Sequence, residues 1–324
     1  MNGKIAEVLL RDLNKEALTF EKLKGGRNSQ VFRVDCADGS TFAAKAYFQD
    51  NRDRMGREFR ALEFLKKEGV REVAAPLAAD ETRRVAIHEF IHGKPPRIGG
   101  DEIDRAVRFL GELKRIADSA RPAHFPPASE ACFSIGEILQ NIDGRLARLL
   151  EASAAEPELA DFLRNDLLPF RKAAGKGVPA DSEIPLSGRT LSPSDFGFHN
   201  ALQRADGGLV FLDFEYFGWD DPAKTIVDFL LHPAMRLPPP LKARFLSGML
   251  SAFASIPGLG ERARAVYPLF GIKWCAILLN EFTLEHMARR CFADSAAGAW
   301  SGAAQLEKAR RMLALVKEEF PLHG

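Results

Sequence analysis

The chain has 324 residues, 46% of them hydrophobic, enough to bury one large core or two modest ones. Its 45 Lys and Arg nearly cancel its 44 Asp and Glu, so charge gives no argument for nucleic acid or an anionic membrane as the main partner. Four scattered cysteines (Cys36, Cys132, Cys275, Cys291) form no CxxC pair and read as reduced thiols, not as a disulfide framework or zinc ribbon.

The N-terminal segment through Phe20 is charged throughout and has no apolar core of signal-peptide length. Residues 20–50 are β-rich: LKGGRNSQVFRV and STFAAKAYF read as two strands about the turn DCADGS. Residues 53–68 switch to helical spacing, with Phe59, Leu62 and Leu65 on one face. Apolar runs at Val73–Leu77 and Val85–Ile91, separated by AADETRR, read as two further strands. After Gly93-Lys94-Pro95-Pro96 long amphipathic stretches dominate, at 102–118, 134–153, 157–174, 222–232, 239–254, 261–288 and 299–319. The apolar stretch Tyr267–Asn280 contains Lys273 and falls short of the ~18 residues a membrane span needs. A cytoplasmic protein with no membrane partner is therefore expected. One β-like island, residues 200–214, interrupts the helices. The expected fold is α+β and two-lobed: a small mostly-β lobe over 1–92 and a large mostly helical lobe over 93–324 carrying one hairpin.

That hairpin lies in the most informative segment, TLSPSDFGFHNALQRADGGLVFLDFEYFGWDDP. Asp195 precedes Asn200 at the interval of the kinase pattern H-R-D-x-x-x-x-N, and Asp213 ends the second strand. Each alone is a common turn or strand-end residue. As an ordered set they are what phosphoryl transfer requires: a carboxylate for the attacking hydroxyl, then a carboxamide and a second carboxylate for magnesium. The segment resembles the motif of the aminoglycoside phosphotransferase and choline kinase superfamily, written H-G-D-x-x-x-x-N, a strand, then I-D-[WF]-E. GWDDPAKTIVDF continues the likeness, and Asp228 matches the family's last acid, which more often tethers a loop or caps a helix than does chemistry. Pro193 and Ser194 stand where the family usually has His and Gly.

The resemblance implies a protein-kinase-like fold, ATP and Mg2+ as cofactors, and a small-molecule acceptor. It makes Asp195 the base and Asn200 and Asp213 the metal ligands. Gly25, Gly26, Asn28 and Ser29 resemble the phosphate-covering loop. Lys45 in FAAKAY matches the phosphate-clamping lysine, with Glu58 in GREFRALEFL as its partner and Glu63 as the fallback. VAIHEFIHG matches the connector that holds adenine through backbone groups, at Glu89 and Ile91. Acids that could meet a cationic acceptor are Glu215, Asp220, Glu281 and Glu285; surface or capping roles remain open for them.

Two other readings stand beside this one. A nucleotide-binding pseudokinase regulator is kept open by Pro193 and Ser194. His88-Glu89-Phe90-Ile91-His92 also matches HExxH of zinc metallopeptidases, but that chemistry needs a helix, and Gly93, Pro95 and Pro96 oppose one. His199 reads as a residue that fills the loop beside Asn200, and Trp274 as a core residue.

Overall fold

The computed structural model describes residues 1–23, 29–49, 52–120, 125–176, 181–283 and 302–320. The chain opens on a helix, α1 (Asn2–Leu13), which the sequence reading did not anticipate. Its signal is the stripe Ile5, Val8 and Leu9, all fully buried at i, i+3 and i+4 spacing. A five-stranded antiparallel sheet follows, in the order β1-β2-β3-β5-β4. Its strands are β1 (Ala17–Leu23), β2 (Ser29–Cys36), β3 (Thr41–Tyr47), β4 (Pro76–Asp80) and β5 (Val85–Glu89). Three strands thus precede residue 50 where two were expected. β1 is an edge strand with no buried residue, and Leu18 is exposed. It therefore lacks the apolar alternation that marks a half-buried strand.

The sheet has two working faces. One carries Val34, Ala44, Ala46, Val85 and Ile87 into a core shared with α1. The other faces α2 (Arg54–Lys67), whose N-terminus is capped by Asp53 accepting from the Gly56 N–H. Because directly paired residues of antiparallel strands share a face, the pairs Lys45↔Ala86 and Ala43↔His88 put Lys45 and His88 together on this side.

The described residues form two compact units. The first takes those of Met1–His124 and Pro193–Gly218, and the Gly93–Pro96 segment lies inside it. Here α3 (Gly100–Ala120) supplies Phe109, which packs with Phe196, Phe211 and Phe214 in a buried aromatic cluster. The hairpin of β7 (Ala201–Gln203) and β8 (Leu209–Phe211) is tied down at both strands. Lys94 and Gln203 exchange backbone hydrogen bonds at 3.0 and 2.7 Å, and the Phe211 N–H donates to Glu72 O at 2.7 Å. Gly93 permits this approach, since a Cβ there would lie 2.9 Å from Gln203 O.

The second unit comprises the described residues of Phe125–Ser192, Trp219–Met287 and Gly298–Gly324. It contains short strands β6 (Thr190–Ser192) and β9 (Gly218–Asp220) and helices α4 (Ile135–Ala152), α5 (Pro157–Asp161), α6 (Leu168–Ala174), α7 (Pro222–Leu231), α8 (Pro239–Ala252), α9 (Leu259–Leu278) and α10 (Gly302–Glu319). The helix expected over 157–174 is broken by a π-helical stretch, Phe162–Leu167. The one expected over 261–288 passes into a 3-10 turn at Leu279–Phe282. α9 begins on a charged turn with Glu261 and Arg264 exposed, and its apolar middle from Val266 to Ile272 is buried. No helix among the described residues is long and apolar enough to cross a membrane.

α9 and α10 meet at Gly271, where a Cβ would lie 2.4 Å from Val316 Cγ2. Gly271→Ala is expected to destabilise the protein by about 1–3 kcal/mol through overpacking. Adding Val316→Ala should recover part of that loss, giving a non-additive cycle in chemical denaturation.

Candidate active site

Lys45 is the centre of a buried charge cluster in the first unit. Its Nζ lies 2.7 Å from Glu58 Oε2, 2.6 Å from Asp213 Oδ1 and 3.6 Å from Glu215 Oε2. Glu58 also accepts from the Tyr47 hydroxyl at 2.7 Å and, through Oε1, from the Phe214 N–H at 3.2 Å. Arg54 Nε lies 3.8 Å from Glu215. Burial works against the Lys45 ammonium, but Asp213 and Glu58 outweigh it and hold its pKa well above the ordinary range. Burial also opposes the Glu58 carboxylate, which Lys45 nonetheless keeps ionised below its usual pKa. Asp213 gains less than Glu58: burial, with the carboxylates of Glu215 and Glu58, pushes it up to about 7 against the pull of Lys45.

The loop before the hairpin is built on its own hydrogen bonds. Asp195 N–H donates to Pro193 O at 2.9 Å, Asn200 N–H to Gly197 O at 3.1 Å, and Asn200 Nδ2 to Asp195 O at 3.0 Å. Phe196 and Phe198 are buried and anchor the loop on either side of Gly197. The Leu212 N–H donates to Asn200 O at 2.8 Å, so the residue before Asp213 is bonded to Asn200. With its Nδ2 turned to the backbone, Asn200 offers an amide oxygen, and Asp213 offers a carboxylate that is 24% exposed. Two oxygen donors of this kind suit a hard cation such as magnesium. The carboxylates of Glu58, Asp213 and Glu215 also lie close enough together to share a cation, although Lys45 already provides positive charge there. Ser194 and Asp213 both adopt left-handed backbone, at φ 69° and 67°, a conformation that costs a side-chain-bearing residue about 1–2 kcal/mol.

The HExxH segment is not a zinc helix. His88 belongs to strand β5 and is buried, whereas His92 is exposed on non-helical backbone, so the two do not share a helix face. Neither ring nitrogen of His88 has a hydrogen-bond partner among the described residues, and burial pushes its pKa down to about 4. Glu89 spends its carboxylate on the Ala75 N–H (3.2 Å) and on Arg204 (2.9 Å). Ile91 packs with Ala74, Val210, Leu202 and Leu212.

A family model described as "Phosphotransferase enzyme family" matches residues 19–265, more than half of the chain. The chain belongs to the phosphotransferase enzyme family. Solved structures agree on the fold. The complex of gentamicin with APH(2″)-IIa is similar at TM-score 0.63 and 17% identity, covering 97% of this chain and 96% of that one. Choline kinase LicA from Streptococcus pneumoniae is similar at TM-score 0.61 and 17% identity, covering 97% and 99%. Spectinomycin phosphotransferase, solved with ADP and spectinomycin, is similar at TM-score 0.59 and 12% identity, covering 99% and 98%. No curated protein sequence matches this phosphotransferase. The architecture is therefore the protein-kinase-like α+β fold, and members of this kind are small-molecule kinases.

The structure places the remaining residues singled out in this phosphotransferase as follows. Gly25, Gly26, Asn28 and Glu285 lie outside the described residues, and Ser29 is buried at the start of β2. Glu63, the fallback partner, is exposed on α2. Asp220 is fully buried and bonded to Lys224 at 2.7 Å, and Glu281 is buried in the 3-10 turn after α9. Asp228 accepts from Trp274 Nε1 at 3.0 Å and meets Lys224 at 3.1 Å, and the Trp274 ring is half-buried against His232. Tyr47 and Arg54 were not read from the sequence, and His88 was read only as part of the HExxH match, not as a neighbour of Lys45 on the sheet. Tyr47 and His88 owe their places to strand register, while Arg54 sits in the same helix as Glu58.

Two outcomes follow for stability. Ser194→Gly is expected to stabilise the phosphotransferase by about 0.5–1 kcal/mol, and Ser194→Val to destabilise it, in urea melts. Asp213 keeps its proton up to about pH 7 when folded but releases it near 3.8 when unfolded. The native state therefore binds more protons in that window, and its stability falls as pH rises through it. Melts across this range should show wild type losing stability relative to Asp213→Asn.

Proposed function

We propose that this protein transfers the γ-phosphoryl group of ATP to a hydroxyl of a small molecule of amino-alcohol, aminoglycoside, sugar or nucleoside type. The observation that carries the reading is the Lys45–Glu58–Asp213 cluster, which couples a sheet lysine to the acid at the end of the hairpin. Lys45, oriented by Glu58, neutralises the α- and β-phosphates. Glu89 and Ile91 present backbone groups to adenine, and Ile91, Leu202 and Leu212 give the flat base an apolar surface. Asn200 and Asp213 hold magnesium, which supplies charge neutralisation for the phosphates. Asp195 orients the acceptor hydroxyl and takes its proton as that oxygen bonds the γ-phosphorus. The bond from phosphorus to the β-γ bridging oxygen breaks, and ADP leaves. ADP in the related spectinomycin phosphotransferase supports the choice of donor. The three similar proteins act on or bind gentamicin, choline and spectinomycin, which supports a small hydroxylated acceptor.

MgATP at ~100 times its dissociation constant is expected to stabilise the protein by about 2.7 kcal/mol. A phosphorylation screen against a metabolite and aminoglycoside library should then find an acceptor for wild type. Asp195→Asn should lose at least 100-fold of that rate, in line with removal of a general base, while keeping the MgATP shift. Nucleotide binding with no transfer to any pool, unchanged by Asp195→Asn, would point instead to a regulator.

A further inference from the structure

We propose that His199 is a positioning residue for Asp195, holding one carboxylate oxygen so that the other meets the acceptor hydroxyl. The proposal rests on the reading of Asp195 as the base. His199 Nε2 lies 3.2 Å from Asp195 Oδ1, across four residues of a loop that is not an α-helix. The contact therefore does not come from helical periodicity. It is made by the way the loop folds back: the 3-10 turn Phe198–Asn200, its closing bond to Gly197 O, and the Asn200 side chain on Asp195 O.

The flanking side chains fix this geometry. Phe196 and Phe198 are buried, and Phe196 stacks on Phe109 at 5.6 Å, so the backbone carrying both polar residues is anchored between them. The His199 side chain is 19% exposed and that of Asp195 36%. A hydrogen bond to one oxygen of a carboxylate restricts the rotation of that group. Position 193 offers no side-chain donor, because it is Pro193.

The chemistry fixes the tautomer. An ionised carboxylate only accepts hydrogen bonds, so Nε2 must carry the proton. His199 keeps that proton throughout, and the proton of the acceptor hydroxyl goes to the other oxygen of Asp195. Oxygen–phosphorus bond making and breaking are those already given. Because His199 acts through Asp195 and not on nucleotide, its loss falls on kcat and leaves the KM for ATP in place.

Two variants separate hydrogen bonding from packing. His199→Phe keeps an aromatic ring without a donor, and His199→Gln places an amide N–H where Nε2 stood. His199→Phe is expected to lower kcat roughly 10- to 100-fold, the scale of a misplaced reacting group, with KM for ATP and melting temperature unchanged. His199→Gln should recover most of it. Long-range 1H–15N NMR of the histidines should show the Nε2–H tautomer for His199, with its signal shifted in Asp195→Asn. Undiminished kcat in His199→Phe, equal losses in both variants, or an Nδ1–H tautomer would each overturn the proposal. Absence of transfer by wild type with the Nε2–H tautomer intact would instead locate the failure in the phosphotransfer reading, and the positioning role would fall with it.

Discussion

One ammonium holds the candidate site together. Lys45 stands among Glu58, Asp213 and Glu215, and removing an ion from water costs several kcal/mol unless attraction and hydrogen bonds repay it. Glu58 is repaid best, with Lys45, Tyr47 and the Phe214 N–H all on its carboxylate. Asp213 is repaid less than Glu58, and its pKa rises while that of Glu58 falls. A group that the protein alone satisfies poorly is suited to binding a cation, because coordination supplies what the fold withholds. The same ion pairs fix strand β3 and helix α2 against the segment that follows the hairpin, with Arg57 adding a bond to Phe217 O at 3.1 Å.

Both acids at the hairpin bear on backbone strain. Asp213 sits at positive φ, and so does Ser194, the residue before Asp195. The aromatic cluster of Phe109, Phe196, Phe211 and Phe214 lies next to each of them in sequence, and a packed floor of this kind can hold residues in conformations they would otherwise leave. The left-handed geometry at position 194 gives a physical reason for glycine in the family's motif. Ser194 keeps the geometry and carries its cost, so the departure in sequence is not a departure in backbone path. The loop closes through Asp195, Gly197 and Asn200 without help from a histidine at position 193.

The parts that were legible in the sequence are those whose geometry is local or tied to a strong motif. Asp195, Asn200 and Asp213 flank one short hairpin, so their spacing along the chain nearly determines their spacing in space. Lys45 and Glu58 were legible because a sheet lysine followed by a helical glutamate is a familiar pair in this fold. Tyr47, and the place of His88 beside Lys45, were not, since these depend on which strands pair and in what register. α1 carried the stripe Ile5, Val8 and Leu9, but a charged helix of this length is marginal by itself and forms through its packing on the sheet, which the local pattern does not show. The contact of His199 with Asp195 could not be read either: at i, i+4 such pairs meet on a helix, and this loop brings them together by another route.

The acids of 215–228 show how far a count of charges can mislead about an acceptor. Glu215 faces Lys45 and Arg54, Asp220 faces Lys224, Asp221 is bonded to Arg262 at 2.6 Å, and Asp228 faces Lys224 while accepting from Trp274. Asp221 also caps α7 through the Ala223 N–H. Each of the four acids in this segment thus has a cation beside it within the unit that carries it, although Asp220 and Asp228 share Lys224 and Glu215 shares Lys45 with Glu58 and Asp213. A ligand responds to the charge that remains after internal pairing, not to the formal charge of the sequence. In this segment internal pairing takes up part of the formal charge, and the shared Lys224 leaves Asp220 and Asp228 together with one cation between them.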